Sequence, residues 1–277
     1  MSDPFKILEP TCISFSGGRT SAYMLWRVLQ SNGGLPDEAI VCFQNTGKER
    51  EETLEFINQC SLRWNVPITW LEYCDTAEQF KTVTFETASR NGEPFEAIIM
   101  KRKYLPNPMV RFCTVELKVR TAHRYLKSLG WTAWESWIGI RADEQRRLSK
   151  IKNQDYGTHE TKYSPLGVAG VTKRDVTNFW SKQDFDLQLE NQNGDTPWGN
   201  CDLCFLKNTS KILSLIAQEP ERAKWWARME TVATPSKPSG FYFRTDRPSY
   251  AEMIKFTKEQ RDMFDPNEEA IACFCGE

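Results

Sequence analysis

Two groups of residues have the types and spacing to do chemistry. The first is Ser16-Gly17-Gly18-Arg19-Thr20-Ser21, directly after the apolar run Thr11–Phe15. A strand that ends in Ser-Gly-Gly and hands over to a helix is a phosphate cradle. Its glycines let the backbone approach an anion, and the N–H groups at the helix start point at it. Ser16, Thr20 and Ser21 add hydroxyls and Arg19 adds charge. A plain strand-to-helix turn with a capped helix is the alternative reading of the same residues. The second group is cysteine, of which the chain has nine. Cys12, Cys42, Cys60 and Cys74 sit in apolar contexts and read as small buried hydrophobes. Cys113, Cys201, Cys204, Cys273 and Cys275 sit in polar, motif-like contexts, where thiolates serve as metal ligands or nucleophiles.

The elements that must position these groups alternate. Thr11–Phe15, Ala39–Phe43 and Ile68–Glu72 read as buried strands, and Ser21–Gln30 and Glu51–Trp64 read as helices between them. The spacing predicts a parallel sheet with right-handed crossovers. It places the glycine loop at the carboxyl end of the first strand, where open α/β sheets hold ligands. Further on, a helix is expected over Val115–Leu129, a strand over Trp134–Ile140 and a helix over Lys173–Trp180. Residues 76–108 read as less regular, Asn191–Asn200 as loop, and the chain from Cys201 onward as mostly helical. The expected fold is therefore α/β, a doubly wound, mainly parallel sheet over residues 1–190. A helical, cysteine-bearing region over 191–277 packs on it.

Four motifs appear in a particular order. They are Ser16-Gly17-Gly18-Arg19-Thr20-Ser21; Asn45-Thr46-Gly47 followed by Glu51-Glu52-Thr53; Gly139-Ile140-Arg141-Ala142-Asp143-Glu144-Gln145-Arg146-Arg147; and Tyr163-Ser164-Pro165-Leu166 with Asp175-Val176. Together they resemble the phosphoadenosine phosphosulfate reductase family of the PP-loop, adenine-nucleotide α-hydrolase-like superfamily, with Thr20 where that loop usually carries Asp. The resemblance spans roughly Ile13 to Trp180. It implies an adenine nucleotide on the first loop: phosphoadenosine phosphosulfate, adenylylsulfate, or ATP with Mg. Asn45, Thr46 and Gly47 would meet its ribose or adenine, and Arg141 and Arg146 would grip its sulfate or phosphate.

Arg111-Phe112-Cys113-Thr114 with Leu117-Lys118, and Cys201-Asp202-Leu203-Cys204, resemble the iron–sulfur branch of the same family, with Thr114 in place of one cysteine of a pair. The resemblance implies a [4Fe–4S] cluster on Cys113, Cys201, Cys204 and Cys273, with structural zinc as the alternative. Cys275-Gly276-Glu277 resembles in part the mobile tail whose thiolate attacks sulfate sulfur. Cys275 is then the nucleophile, and the reverse assignment of Cys273 and Cys275 stays open. The implied activity is that of a sulfonucleotide reductase-like enzyme served by a thiol reductant protein. An ATP-dependent adenylating sulfurtransferase acting on tRNA or DNA is the runner-up, and a non-catalytic nucleotide- or redox-sensing iron–sulfur protein is a third class.

The formal net charge of −1 gives no global field for nucleic acid, so any polyanion site must be local. The local basic concentration is Lys101-Arg102-Lys103, Arg111, Lys118, Arg120, Arg124 and Lys127. It reads equally as a solvated face or as a phosphate-neutralising one. Met1–Pro10 carries no signal-like segment and no stretch reaches membrane-spanning length, so a cytoplasmic protein without membrane contact is expected. His123 is expected to play a surface role, and Trp225 and Trp226 to pack.

Overall fold

The computed structural model describes residues 3–152, 160–192, 194–233 and 240–259. Its centre is a six-stranded sheet of order β4-β3-β2-β1-β5-β6. The strands are β1 (Thr11–Ser14), β2 (Ala39–Asn45), β3 (Ile68–Glu72), β4 (Lys81–Val83), β5 (Trp134–Ile138) and β6 (Glu160–Tyr163). All neighbours pair in parallel except β3 and β4, which are antiparallel. From β1 the chain winds outward through β2 and β3, then crosses to β5 and β6 on the other side. The switch between β1 and β5 opens a crevice at their carboxyl ends.

Alternation along the strands divides the core. Ile13, Val41, Phe43 and Trp70 point to one face, into the large cluster that also contains Ala22, Leu25 and Val28 of α1 (Arg19–Asn32) and Leu54, Phe56 and Ile57 of α2 (Glu51–Arg63). Cys12, Cys42 and Leu71 point to the other, into a smaller cluster with Leu126 and Trp134. As expected, Cys12, Cys42 and Cys60 are buried; Cys74 is only half-buried, its Sγ 3.3 Å from Thr76 Oγ1.

Between β4 and β5 lie α3 (Glu93–Arg102), a π-helical segment (Thr114–Arg120) and α4 (Thr121–Ser128). The expected helix over 115–129 is thus present, with a changed winding in its first half. The rest comprises α5 (Gln145–Lys152), the short α6 (Pro165–Val168), α7 (Lys173–Trp180), α8 (Thr209–Gln218), α9 (Pro220–Val232) and α10 (Tyr250–Glu259). Thr172 and Asp175 form a capping box at the start of α7. Trp226 and Met229 of α9 and Met253 of α10 join the same large cluster as the strand residues, so the helical region shares one core with the sheet. No helix among the described residues is long and apolar enough to cross a membrane.

Candidate active site

The loop after β1 is braced from within. Ser16 N–H donates to Ser21 Oγ at 3.2 Å, and Ser21 Oγ donates to Gly18 O at 2.9 Å. Gly17 has φ +76°, and a Cβ there would stand 2.6 Å from Thr53 Cγ2 and 2.9 Å from Ile57 Cδ1 of α2. Both the backbone conformation and the packing behind the loop therefore require glycine. Gly18 caps α1 without a side-chain bond, and the first turn carries no carboxylate. The positive end of α1 is left to an anion.

Arg19 does not add its charge to this cradle. Its Nε and Nη2 bond Asp186 at 2.7 and 2.8 Å, Nη2 also reaches Leu189 O at 3.3 Å, and Nη1 reaches Thr196 Oγ1 at 3.2 Å. Arg19 thus ties the loop to the strap that leads from α7 to Cys201. Arg141, delivered by the end of β5, does face the cradle, with Nη1 donating to Thr20 Oγ1 at 3.3 Å. The same guanidinium pairs with Asp143 at 3.0 Å and Glu144 at 3.6 Å, so an incoming anion would compete with two carboxylates. Arg146 lies exposed on α5.

The loop after β2 turns toward the cysteines. Every residue from Val41 to Arg50 is buried. Asn45 Nδ2 is bonded to Glu72 Oε1 (2.6 Å) and Ser89 O (2.8 Å), and its Oδ1 accepts Gly47 N–H at 3.1 Å. Thr46 donates both its N–H and its hydroxyl to Glu49, and its Oγ1 lies 3.4 Å from Cys201 Sγ. Gly47, φ +74°, abuts the Gly92 backbone, where a Cβ would meet the Gly92 nitrogen at 2.9 Å. Lys48 O accepts Asp202 N–H at 2.8 Å, and Lys48 Nζ pairs with Asp202 at 3.4 Å. This loop therefore carries the Cys201–Cys204 turn, a role its motif does not announce.

Cys113, at the head of the π-helical segment, and Cys201 and Cys204 are electrostatic neighbours. Burial, reinforced by Cys204, pushes the Cys113 thiol up to about 11. Burial and the nearby Glu49 push the Cys201 thiol up further. Lys118 feels the charge of all three thiols and lies 3.9 Å from Glu49 Oε1. Burial alone would lower the Lys118 ammonium, but Glu49 and the three sulfurs raise it. Lys207 donates from Nζ to Gly199 O (2.9 Å) and Cys201 O (2.7 Å), and burial lowers its pKa. Between the two cysteines, Asp202 accepts Trp226 Nε1–H at 3.0 Å.

Soft thiol donors with flanking ammonium groups suit a thiophilic centre that carries negative charge overall. Among the described residues, no group of three or more His, Cys, Asp or Glu is drawn close enough to hold a metal ion. Cys273 and Cys275 lie outside the described residues, as does His159. Sequence reasoning missed Glu49, Lys207 and Asp202. The available signal was that each follows a motif residue by one to three positions. His123, expected at the surface, is instead half-buried, 3.1 Å from Glu160 and edge-on to Trp134.

Comparison with known proteins places these features. The chain is 32% identical over 210 residues to an uncharacterized nin region protein, ORF290, of Escherichia phage lambda, covering 72% of this chain and 67% of that protein. It is 22% identical over 279 residues to an uncharacterized 37.8 kDa protein in the gpa 5' region of Escherichia phage 186, covering 87% and 81%. Among solved structures, the U34-tRNA thiolase NcsA from Methanococcus maripaludis with its [4Fe-4S] cluster aligns with a TM-score of 0.44 and 13% identity, over 99% of this chain and 78% of that one. The family model for the phosphoadenosine phosphosulfate reductase domain matches residues 10–188, the whole sheet and the loops at its carboxyl edge, and the chain belongs to that family.

Proposed function

We propose that the protein is an enzyme that binds an adenine nucleotide on the Ser16–Ser21 loop and performs thiol- and iron–sulfur-dependent chemistry on a sulfonucleotide. The observation that carries this reading is a juxtaposition. Arg141 meets Thr20 at the sheet's switch point, while the neighbouring loop after β2 holds the Cys201–Cys204 turn. In this reading the open N–H groups of the loop and α1 hold phosphate, the hydroxyls of Ser16 and Thr20 orient it, and Arg141 and Arg146 grip the sulfate.

Cys113, Cys201, Cys204 and Cys273 are the ligands of a [4Fe–4S] cluster, with zinc the alternative occupant. When bound, the cluster would supply a soft, redox-capable centre. Cys275 is the nucleophile. Its thiolate bonds to the sulfate sulfur, the bond from that sulfur to the bridging oxygen breaks, and the nucleotide leaves with that oxygen, as AMP from adenylylsulfate or its 3'-phosphorylated form from phosphoadenosine phosphosulfate. A dithiol reductant protein then attacks Cys275 Sγ, the bond from Cys275 to the sulfonate sulfur breaks to release sulfite, and the reductant's second thiol resolves the mixed disulfide, leaving Cys275 reduced and the reductant oxidised.

A second reading is favoured by one feature, the two carboxylates on Arg141. Asp143 and Glu144 suit the Mg²⁺ that accompanies ATP, as an adenylating sulfurtransferase requires. Calorimetric titration of anaerobically prepared protein with adenylylsulfate, phosphoadenosine phosphosulfate and ATP, with and without Mg²⁺, separates the two. The first reading expects a sulfonucleotide to bind most tightly. Arg141→Ala should then weaken it by about 1.5–3 kcal/mol while leaving adenosine almost unaffected. Mg²⁺-dependent ATP binding without sulfonucleotide binding selects the second reading. No binding of any of the three removes both.

A further inference from the structure

Apart from Lys118, the basic concentration between α3 and α4 takes no part in the site described above. Its centre is Glu116, a carboxylate only 4% exposed. Three guanidinium groups converge on it. Arg120 Nη1 lies 2.7 Å from Oε1, Arg124 Nη2 lies 3.4 Å from Oε2, and Arg102 Nη2 also bonds Oε1. Three cations on one anion leave a local excess of two positive charges. The donors are in larger excess still, since each guanidinium carries five N–H groups and one carboxylate cannot accept so many. Arg124 Nη1, buried beneath that surface, has no hydrogen-bond partner among the described residues. The other acids packed nearby are committed elsewhere: Asp75 to Lys101 at 2.6 Å, Glu160 to His123, and Glu49 to the Lys118 side.

The shape of the excess matters as much as its sign. Arg120, Arg124 and Lys127 recur at helical spacing, so they form a row rather than a socket. At 1.5 Å per residue the row rises about 6 Å and then about 4.5 Å along the axis. Arg120 and Lys127 are exposed, and exposed Lys103 extends the same charge at the end of α3. A converging socket would suit one small anion, whereas a row suits successive phosphates of a strand. The row itself offers none of the apolar anchors on which a protein partner's interface core depends, and arginine forks match phosphate oxygens in pairs. Glu116 and Lys118 lie on the one π-helical segment that begins beside Cys113, so the row starts at the flank of the cysteine pocket.

We propose that this face, Arg102 and Lys103 with Arg120, Arg124 and Lys127, binds the phosphodiester backbone of a polynucleotide running past the cysteine pocket. The proposal goes beyond the nucleotide reading above and does not rest on it, because it concerns a different surface.

The test is fluorescence anisotropy of a labelled 20-nucleotide single strand across a salt series, with ATP and adenylylsulfate binding measured on the same samples. Wild-type protein should bind with a clear salt dependence. In Arg120→Ala/Lys127→Ala, the slope of log affinity against log salt should flatten by about 0.7 for each lost contact. Glu116→Gln removes the competing carboxylate and should tighten binding a few-fold. If circular dichroism shows that this variant does not fold, the double variant decides alone. An unchanged slope in the double variant overturns the proposal. So does wild-type protein that fails to bind the strand at low salt, whatever its nucleotide affinity. Displacement of the strand by polyglutamate at equal charge concentration would also overturn it, in favour of an acidic protein partner.

Discussion

The glycine loop and the cysteine pocket sit side by side at one edge of the sheet and are built in opposite ways. The loop is made of backbone. Its hydroxyls brace its own turn, its one cation is bound to Asp186, and it presents N–H groups at the start of α1. The pocket is made of side chains. Thiols from two distant segments meet two ammonium groups and a carboxylate, and a third segment, the loop after β2, holds them in place. A backbone site depends on conformation that few residue types can adopt. A side-chain site depends on segments arriving at the same point. The first should therefore break at a single glycine, and the second through its scaffold.

The largest effect is expected at Gly17. In Gly17→Val a β-branched residue would adopt φ +76° and drive its Cβ into Thr53 and Ile57. Left-handed strain and overpacking together should cost about 3 kcal/mol. The loss should appear as a lower urea midpoint as well as lost nucleotide binding. A variant of unchanged stability would mean that the loop yields, and the contrast between the two regions would weaken.

Next is the pocket's scaffold. Glu230 on α9 accepts N–H from Tyr250 at 2.8 Å, and Tyr250 Oη in turn donates to Leu203 O between the two cysteines of the turn. Burial pushes the Glu230 carboxyl up from 4.5 to about 7, against the pull of those backbone N–H groups. A folded-state value above the unfolded one means that the folded protein holds the proton more tightly. The stabilisation is therefore full below about pH 4.5 and is lost as the pH rises through 7. A shift of that size corresponds to about 3 kcal/mol. Melting curves should show this decline in wild-type protein, and Glu230→Gln should flatten it. An equal slope in both proteins would assign the pH dependence elsewhere.

The smallest effect is expected at Arg19, which ties the loop to the strap leading to Cys201. Arg19→Gln removes a charge-assisted clamp on Asp186 and the strap, at a cost of about 2 kcal/mol. Direct contact with phosphate would instead make nucleotide affinity fall more than stability, which comparing titration with denaturation would reveal.

This contrast also explains what the sequence could tell. Thr11–Phe15, Ala39–Phe43 and Ile68–Glu72 are mainly apolar runs, the first two followed by glycine turns, and each forms a parallel strand within two residues of the expected ends. The glycine loop was legible because its conformation resides in residue types adjacent in the chain. The edge strands were not legible. Lys81–Val83 is three residues, two of them exposed, and Glu160–Tyr163 is polar and at most half-buried, so neither carries the alternation that marks a strand. Gln145–Lys152 puts only Leu148 and Ile151 on one face, too short a pattern to stand out as a helix in the sequence. The pocket was half legible. Its cysteines stand out by context, but 88 positions separate Cys113 from Cys201. Nothing in Asn45-Thr46-Gly47 says that Thr46 lies beside Cys201. Lys48 and Arg50, ordinarily surface residues, are buried there, and only the folded chain shows why: Asp202 and Glu219 are waiting for them.

The π-helical segment between Cys113 and α4 has a consequence for how this pocket could arise and drift. In an α-helix each residue turns the direction of the next by about 100°. A ladder bonded five residues back takes in an extra residue, so the bearing of Cys113 is out of phase with the face that α4 buries through Thr121 and Leu126. The azimuth of the thiol and the packing of the helix are thereby set by separate stretches of chain. Loss of one residue within Thr114–Arg120 would restore even winding and leave α4 seated. It would also swing the sulfur by about 100° away from Cys201 and Cys204, dismantling the pocket and pulling buried Phe112 out of its place in the core.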